Sequence, residues 1–155
     1  MNLRRNEQFQ WNGVHGFRSE IKERERSKAQ KGVTVLMSDK CCKSLMNVEY
    51  KSARVLFAKF RFARVKVCVI LVYGAVNGAS EYERESFWNE VERTVDEVGN
   101  SYRVIVMGDL NGWGGDVECE GITGKHGVPG VNENGQKVVD FCAEVERVLY
   151  REHIV

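Results

Sequence analysis

Proline occurs once in this chain, at Pro129. Disordered and linker-rich proteins use far more of it, so its near absence argues for a folded domain. Long apolar runs are also missing. No stretch reaches eighteen apolar residues, so no segment reads as a membrane-spanning helix and no membrane partner is expected. The opening residues, Met-Asn-Leu-Arg-Arg-Asn-Glu, lack the apolar centre of a secretory signal. The five cysteines (Cys41, Cys42, Cys68, Cys119, Cys142) form no Cys-x-x-Cys pair, and His15, His126 and His153 show no zinc-finger spacing. An odd, unpatterned set fits a reducing compartment, so the expected location is intracellular, nuclear or cytoplasmic.

What is present is enough for one core: 43% of 155 residues are apolar, which bounds the chain to one domain or part of one. Net charge is only +1, but it is unevenly distributed. Residues 1–66 carry 16 Lys/Arg against 6 Asp/Glu, and residues 67–155 carry 7 against 16. Two readings stay open. The basic part can meet phosphates, as in nucleic acid. Alternatively, the halves interleave in the fold and neutralise each other.

Residues 1–31 are polar and charged and read as a loop or exposed hairpin with little core of its own. Residues 32–150 hold the domain, and 151–155 are a tail. Gly32–Ser38 reads as a strand. From Arg54 to Phe62, Val55, Phe57 and Lys59 alternate with Leu56, Ala58 and Phe60, as in a strand. Val65–Tyr73 is almost continuously apolar and β-branched, which suits a central strand covered on both faces. Ala63-Arg64 between them predicts a tight antiparallel connection. Ser80 and Glu83 have capping-box spacing, and a helix follows to Val98 with Phe87, Val91, Thr94, Val95 and Val98 as its stripe. Gly99 suits the position just past its end. Tyr102–Met107 reads as a second buried strand. A last helix is predicted from about Gly135 to Tyr150, with Val138, Phe141, Cys142, Val145, Val148 and Leu149 as its stripe. Strands 33–37, 54–61, 65–73 and 102–108 are expected in one mixed sheet system, an α/β fold.

The most specific chemistry lies at Gly108-Asp109-Leu110-Asn111, where an apolar strand ends. Catalytic groups in open α/β sheets gather at carboxyl ends of strands. The Asp-x-Asn spacing puts two oxygen-bearing side chains on one side of extended chain. Such a pair can position a water, a divalent cation or both. The same residue types also favour an ordinary β-turn. Other loop patterns fit less well. The third glycine of a dinucleotide loop would fall on Val117, and Gly-Lys-Ser/Thr is absent. Asp109, Asn111, Gly114 and Glu120 match calcium-loop positions, but Trp113 and Asp116 break the pattern and the incoming element is a strand.

Three motifs follow in order: Tyr73-Gly-Ala-Val-Asn77, then Gly108-Asp-Leu-Asn111, then Asn132-Glu-Asn134-Gly135 with Asp140 and Cys142 beyond. Together they resemble the endonuclease/exonuclease/phosphatase superfamily, nearest its retrotransposon-endonuclease members, over about Trp11 to Cys142. The resemblance implies a partial two-sheet α/β sandwich of the deoxyribonuclease-I-like type with mixed strand directions. It implies a hydrolase using Mg²⁺ or Mn²⁺ on phosphodiester bonds. Asp109 and Asn111 would act in catalysis and touch the metal, Tyr73 would donate to a phosphate oxygen, and Asn77 and Asn132 would contact substrate. Asn134 is expected to cap the last helix, and His126 to be an exposed loop residue. Ala75 stands where the family pattern has proline, which leaves that loop less rigid. The family's glutamate metal ligand has no match: Glu20, Glu23 and Glu25 lie in a charged run. The Ser-Asp-His element has none either, since Arg151-Glu152 precede His153. The chain is expected to correspond to the middle of such a domain, with weak or no activity of its own. A non-catalytic nucleic-acid-binding or protein-interaction module of the same lineage is the alternative.

Overall fold

The computed structural model describes residues 4–21, 32–116, 118–145 and 148–149. In chain order these form β1 (Arg4–Trp11), β2 (Val14–Ile21), β3 (Gly32–Ser38), the short α1 (Asp39–Cys42), β4 (Leu45–Tyr50), β5 (Val55–Phe62), β6 (Val65–Tyr73), α2 (Glu81–Val98), β7 (Arg103–Asp109), α3 (Glu133–Glu144) and β8 (Val148–Leu149). No described helix is long and apolar enough to cross a membrane.

The two faces of β5 explain the layers. Side chains alternate across a strand, and here both sets are apolar. Val55 and Phe57 join β6 residues Cys68, Ile70 and Val72, and β7 residues Val104 and Val106, under the helices. From α2 come Phe87, Trp88, Val91, Val95 and Val98, and from α3 Val138 and Phe141. On the other face, Ala58 and Phe60 meet Phe17 of β2 and Met37 of β3, while Leu56 and Leu71 meet Val33. The result is three layers: an antiparallel sheet, a mixed sheet and a helical pair. Each large side chain so buried contributes roughly 1.5–3 kcal/mol of transfer free energy.

The antiparallel sheet has the order β1-β2-β3, and the mixed sheet the order β4-β5-β6-β7-β8. β5 and β6 pair antiparallel through the expected tight connection, with Ala63 at φ 53°. β6 and β7 pair parallel, so α2 is the crossover between them.

The structure departs from the sequence-based expectations in four places. β3 lies in the three-stranded sheet and not beside β5, because its partner is β2. The polar first segment does form a hairpin, but it supplies buried Phe17 and Ser19, whose hydroxyl donates to the Ser52 carbonyl; residues 22–31 lie outside the described set. The last helix ends at Glu144, and Val148 and Leu149 pair with Val104 and Ile105 at the sheet edge. β-Branched and aliphatic residues at helical spacing are equally suited to an edge strand, so the period alone misled. Finally, α1 and β4 had no clear pattern: β4 is mostly half-buried, with a register shift between Leu45 and Asn47.

The α2 boundaries follow the expected chemistry. Ser80 caps α2, its hydroxyl accepting from the Glu83 N–H, and Gly99 ends it at φ 76°. Cys68 is fully buried, and Cys142 is half-buried against the same core. Burial pushes the Cys68 thiol up to about 12 and the Cys142 thiol up to about 11.

Candidate functional site

Parallel pairing of β6 and β7 sets Tyr73 directly beside Asp109. Both therefore emerge at the carboxyl ends of neighbouring strands. Residues in register on parallel strands project to the same sheet face, here the face turned towards the antiparallel sheet. Tyr73 is half-buried, packed against the Val33, Leu56 and Leu71 cluster, whereas Asp109 is exposed. Gly108 makes this approach possible. Its φ is +144°, and a Cβ there would fall 1.9 Å from the Val72 carbonyl oxygen. No L side chain fits, so the glycine of Gly-Asp-x-Asn is a backbone requirement.

Beyond Asp109 the chain turns sharply. Asn111 adopts φ +50°, a left-handed conformation that Asn tolerates better than most residues. The Asp109 carboxylate accepts the Asn111 backbone N–H at 2.9 Å. The Asn111 amide donates to the Gly74 carbonyl at 3.4 Å, tying this turn to the loop after β6. Gly74 N–H donates back to the Asp109 carbonyl at 2.7 Å. The turn that these residue types favour is present, and it holds Asp109 and Asn111 beside the end of β6.

The third motif closes on the first two through asparagine amides. Asn132, and not Asn134, caps α3: its Oδ1 accepts from the Gly135 N–H at 2.7 Å and the Trp113 N–H at 3.1 Å. Its Nδ2 donates to Asn77 Oδ1 at 3.1 Å and to the Asn111 carbonyl at 3.0 Å. Two donors and two acceptor sites are all that a carboxamide has, so the Asn132 side chain is saturated by the protein itself. Asn134 is buried inside the first turn, donating through Nδ2 to the Ala75 carbonyl at 2.8 Å and the Asn111 carbonyl at 3.1 Å. Gly135 lets the Trp113 carbonyl sit where a Cβ would be, 1.9 Å away. Local spacing favoured Asn134 as the cap, since it precedes the helical pattern directly. Its actual partners lie 59 and 23 residues away, and a local reading cannot see them.

Arg54 was missed entirely. It precedes β5 opposite Tyr73, and its guanidinium Nη1 donates to the carbonyls of Tyr73 at 3.1 Å and Gly74 at 2.5 Å. The guanidinium carbon also lies 5.6 Å from the centre of the Tyr73 ring. It fixes the end of β6 and brings a permanent positive charge next to Tyr73. The only sequence signal was a cation at the mouth of an apolar strand.

His126 is exposed, as expected. Glu20 lies on β2, and Glu23 and Glu25 fall outside the described residues. Among the described residues, no group of three or more His, Cys, Asp or Glu side chains is placed to hold a metal ion. Asp109 and Asn111 provide one carboxylate and one carboxamide. A single negative charge is a poor match for a resident Mg²⁺ or Mn²⁺, whose affinity rises with ligand charge and number.

No protein-family model matches the chain. The chain is 25% identical over 118 residues to craniofacial development protein 2 of Bos taurus, covering 76% of this chain and 20% of that protein. Against craniofacial development protein 2 of Tragulus javanicus the identity is again 25% over 118 residues, covering 76% of this chain and 21% of that protein. The chain spans about a fifth of the length of these curated relatives, and the three loop motifs that meet at Asn111 belong to a chain distantly homologous to craniofacial development protein 2.

Proposed function

We propose that this chain is part of a metal-dependent phosphodiesterase domain, endonuclease-like, whose ancestral reaction is hydrolysis of nucleic-acid phosphodiester bonds. On its own it is weakly active or inactive. The observation that carries this reading is the in-register pairing of Tyr73 with Asp109 at the carboxyl ends of β6 and β7. The distant homology to craniofacial development protein 2 supports it.

In this reading the roles divide by chemistry. One Asp109 oxygen accepts the Asn111 N–H, which orients the carboxylate; the other is left to take a proton from water. With one Nδ2 hydrogen donated to Gly74, Asn111 has its Oδ1 to accept from the attacking water without adding a second negative charge beside the substrate. The Tyr73 hydroxyl donates to a non-bridging phosphate oxygen. Arg54 adds fixed positive charge beside it, which favours charge developing on those oxygens. Asn132, saturated by the protein itself, acts on the loops, whereas exposed Asn77 gives only its Oδ1 to Asn132 and offers its Nδ2 to substrate. A divalent cation, when bound, would supply further charge neutralisation at the phosphate. The donor set found here holds one only weakly by itself, and that mismatch is the physical reason for low activity.

A second reading, non-catalytic binding of nucleic acid, is favoured by one observation. The amides of Asn132 and Asn134 are engaged internally, so much of the motif chemistry serves architecture.

Nicking of supercoiled plasmid with Mg²⁺ or Mn²⁺ tests the proposal. The natural chain is expected to nick no faster than Asp109→Ala. Robust nicking that disappears in Asp109→Ala would refute the inactive reading and assign the missing ligand to another carboxylate, such as Glu20, Glu23 or Asp116.

A further inference from the structure

The end of the mixed sheet opposite Asp109 carries an unbalanced positive charge. Between Glu49 and Glu81 the sequence has no acidic residue but six Lys/Arg, four of them in residues 59–66. The register places Arg61 directly across from Lys66 on the β5–β6 hairpin. Like charges in that position repel. Lys59, two residues back along β5, shares their face, and Arg64 sits exposed in the turn. Arg103 opens β7 alongside Val67. Among the described residues, Lys59, Arg61, Arg64, Lys66 and Arg103 make no ion pair. Glu49 bonds Asn47 and Lys51, and Glu97 pairs with Lys51. The Tyr102 ring holds two of the cations in place, with Lys59 Nζ 5.2 Å and Lys66 Nζ 5.5 Å from its centre.

We propose that this end of the β5–β6 hairpin is a contact surface for the phosphate backbone of nucleic acid, separate from the Asp109 end. The separation is the length of β6, about 26 Å at roughly 3.3 Å per residue. The inference rests on the nucleic-acid part of the reading above and not on hydrolysis.

Three features favour nucleic acid. Arg61 and Lys66 are mounted on paired strands, so no backbone ordering is needed on binding. The planar fork of Arg61 matches phosphate oxygens. The strand alternation also separates charge from apolar surface. Arg61 and Lys66 project towards the helical layer, whereas exposed Phe62 and Val65 project to the other face, with Phe62 stacked on Phe60 at 5.7 Å. A cationic face without apolar groups suits a phosphate backbone, where charge supplies the affinity.

Fluorescence anisotropy of a labelled 20-base-pair duplex with the full chain tests the proposal, with salt varied from roughly 50 to 200 mM. Arg61→Ser/Lys66→Ser is expected to weaken binding at least tenfold at the low-salt end. Its log–log salt slope should be shallower by about 1.8, the loss of two phosphate contacts. Arg64→Ser, in an exposed turn where folding is not at stake, is expected to remove about 0.9. Arg93→Ser/Lys137→Ser makes the same charge change on the helices and is expected to leave the slope unchanged. Equal losses in that control, an unchanged slope in both hairpin variants, or no duplex binding by the natural chain would overturn the proposal. Hairpin-dependent binding to phosphatidylserine vesicles with unchanged duplex binding would also overturn it. Hydrolysis is read by plasmid nicking and this surface by the salt slope of the hairpin variants, so failure of hydrolysis and failure of this surface read out separately.

Discussion

Replacing Asn134 by alanine tests the claim that the three motif loops are one hydrogen-bonded unit. Asn134 is 3% exposed, and its amide is donated to the carbonyls of Ala75 and Asn111. After truncation the Asn111 carbonyl still accepts from Asn132 at 3.0 Å. The Ala75 carbonyl, on a residue itself 3% exposed, loses the Asn134 bond. A buried acceptor left unpaired costs about 1–3 kcal/mol, and the second bond adds about 1 kcal/mol. Better helix propensity of alanine returns about half a kcal/mol. The net is about 2 kcal/mol, which in a domain of this size lowers the melting temperature by roughly 4–8 °C. Thermal unfolding by circular dichroism measures this, and amide exchange should quicken at residues 75–77 and 111–113. Asn134→Asp should be worse near neutral pH, because it turns a carboxylate towards two carbonyl oxygens. Burial raises that carboxyl's folded pKa above its unfolded value near about 3.9. The variant's stability should therefore be highest below that pH and fall as pH rises. An Asn134→Ala protein that melts within about 1 °C of the natural chain, with unchanged exchange, would refute the latch.

Other outcomes follow from the same geometry. Gly108→Ala drives a methyl into the Val72 carbonyl and should destabilise by about 3 kcal/mol, the upper end for overpacking, seen as a large drop in melting temperature. A fall of less than about 1 °C would mean the β6–β7 approach is not as tight as described. The raised pKa values of Cys68 and Cys142 make stability complete below about pH 9 and lost progressively as pH rises towards about 12 and about 11. Denaturant midpoints across that window should decline less in Cys68→Val, and Cys68 should resist thiol reagents at pH 8 while half-buried Cys41 and Cys119 react. Equal reactivity of all five thiols would contradict the packing.

Much of the fold was legible where local pattern and tertiary role coincide. The double apolar face of β5, the unbroken apolar β6 and the Ser80 and Gly99 caps of α2 each follow from rules that act within a few residues. The misses share a different cause. Val148 and Leu149 continued a helical period, yet the unpaired edge of β7 captured them. β3 was a recognisable strand, but nothing in Gly32–Ser38 says which sheet it joins. The site shows the same division. Gly108-Asp109 at a strand end was readable, and the structure sets Asp109 beside Tyr73. Asn132 took the capping role expected of Asn134, because the partners of both in residues 75–77 and 111–113 are distant in sequence. Arg54 carried no pattern, since its only mark is position across from Tyr73.

The most direct test of the proposed, incomplete phosphodiester site is a Mn²⁺ titration followed by paramagnetic broadening of backbone amide resonances. Asp109 and Asn111 set a carboxylate and a carboxamide together at the strand end, and with one carboxylate the dissociation constant is expected to be about millimolar. Broadening should begin at residues 73–75 and 108–113 and vanish there in Asp109→Ala. Tighter binding that survives Asp109→Ala, or broadening that begins at the acidic groove of Glu92, Asp140 and Glu144 and spares Asp109, would contradict the assignment.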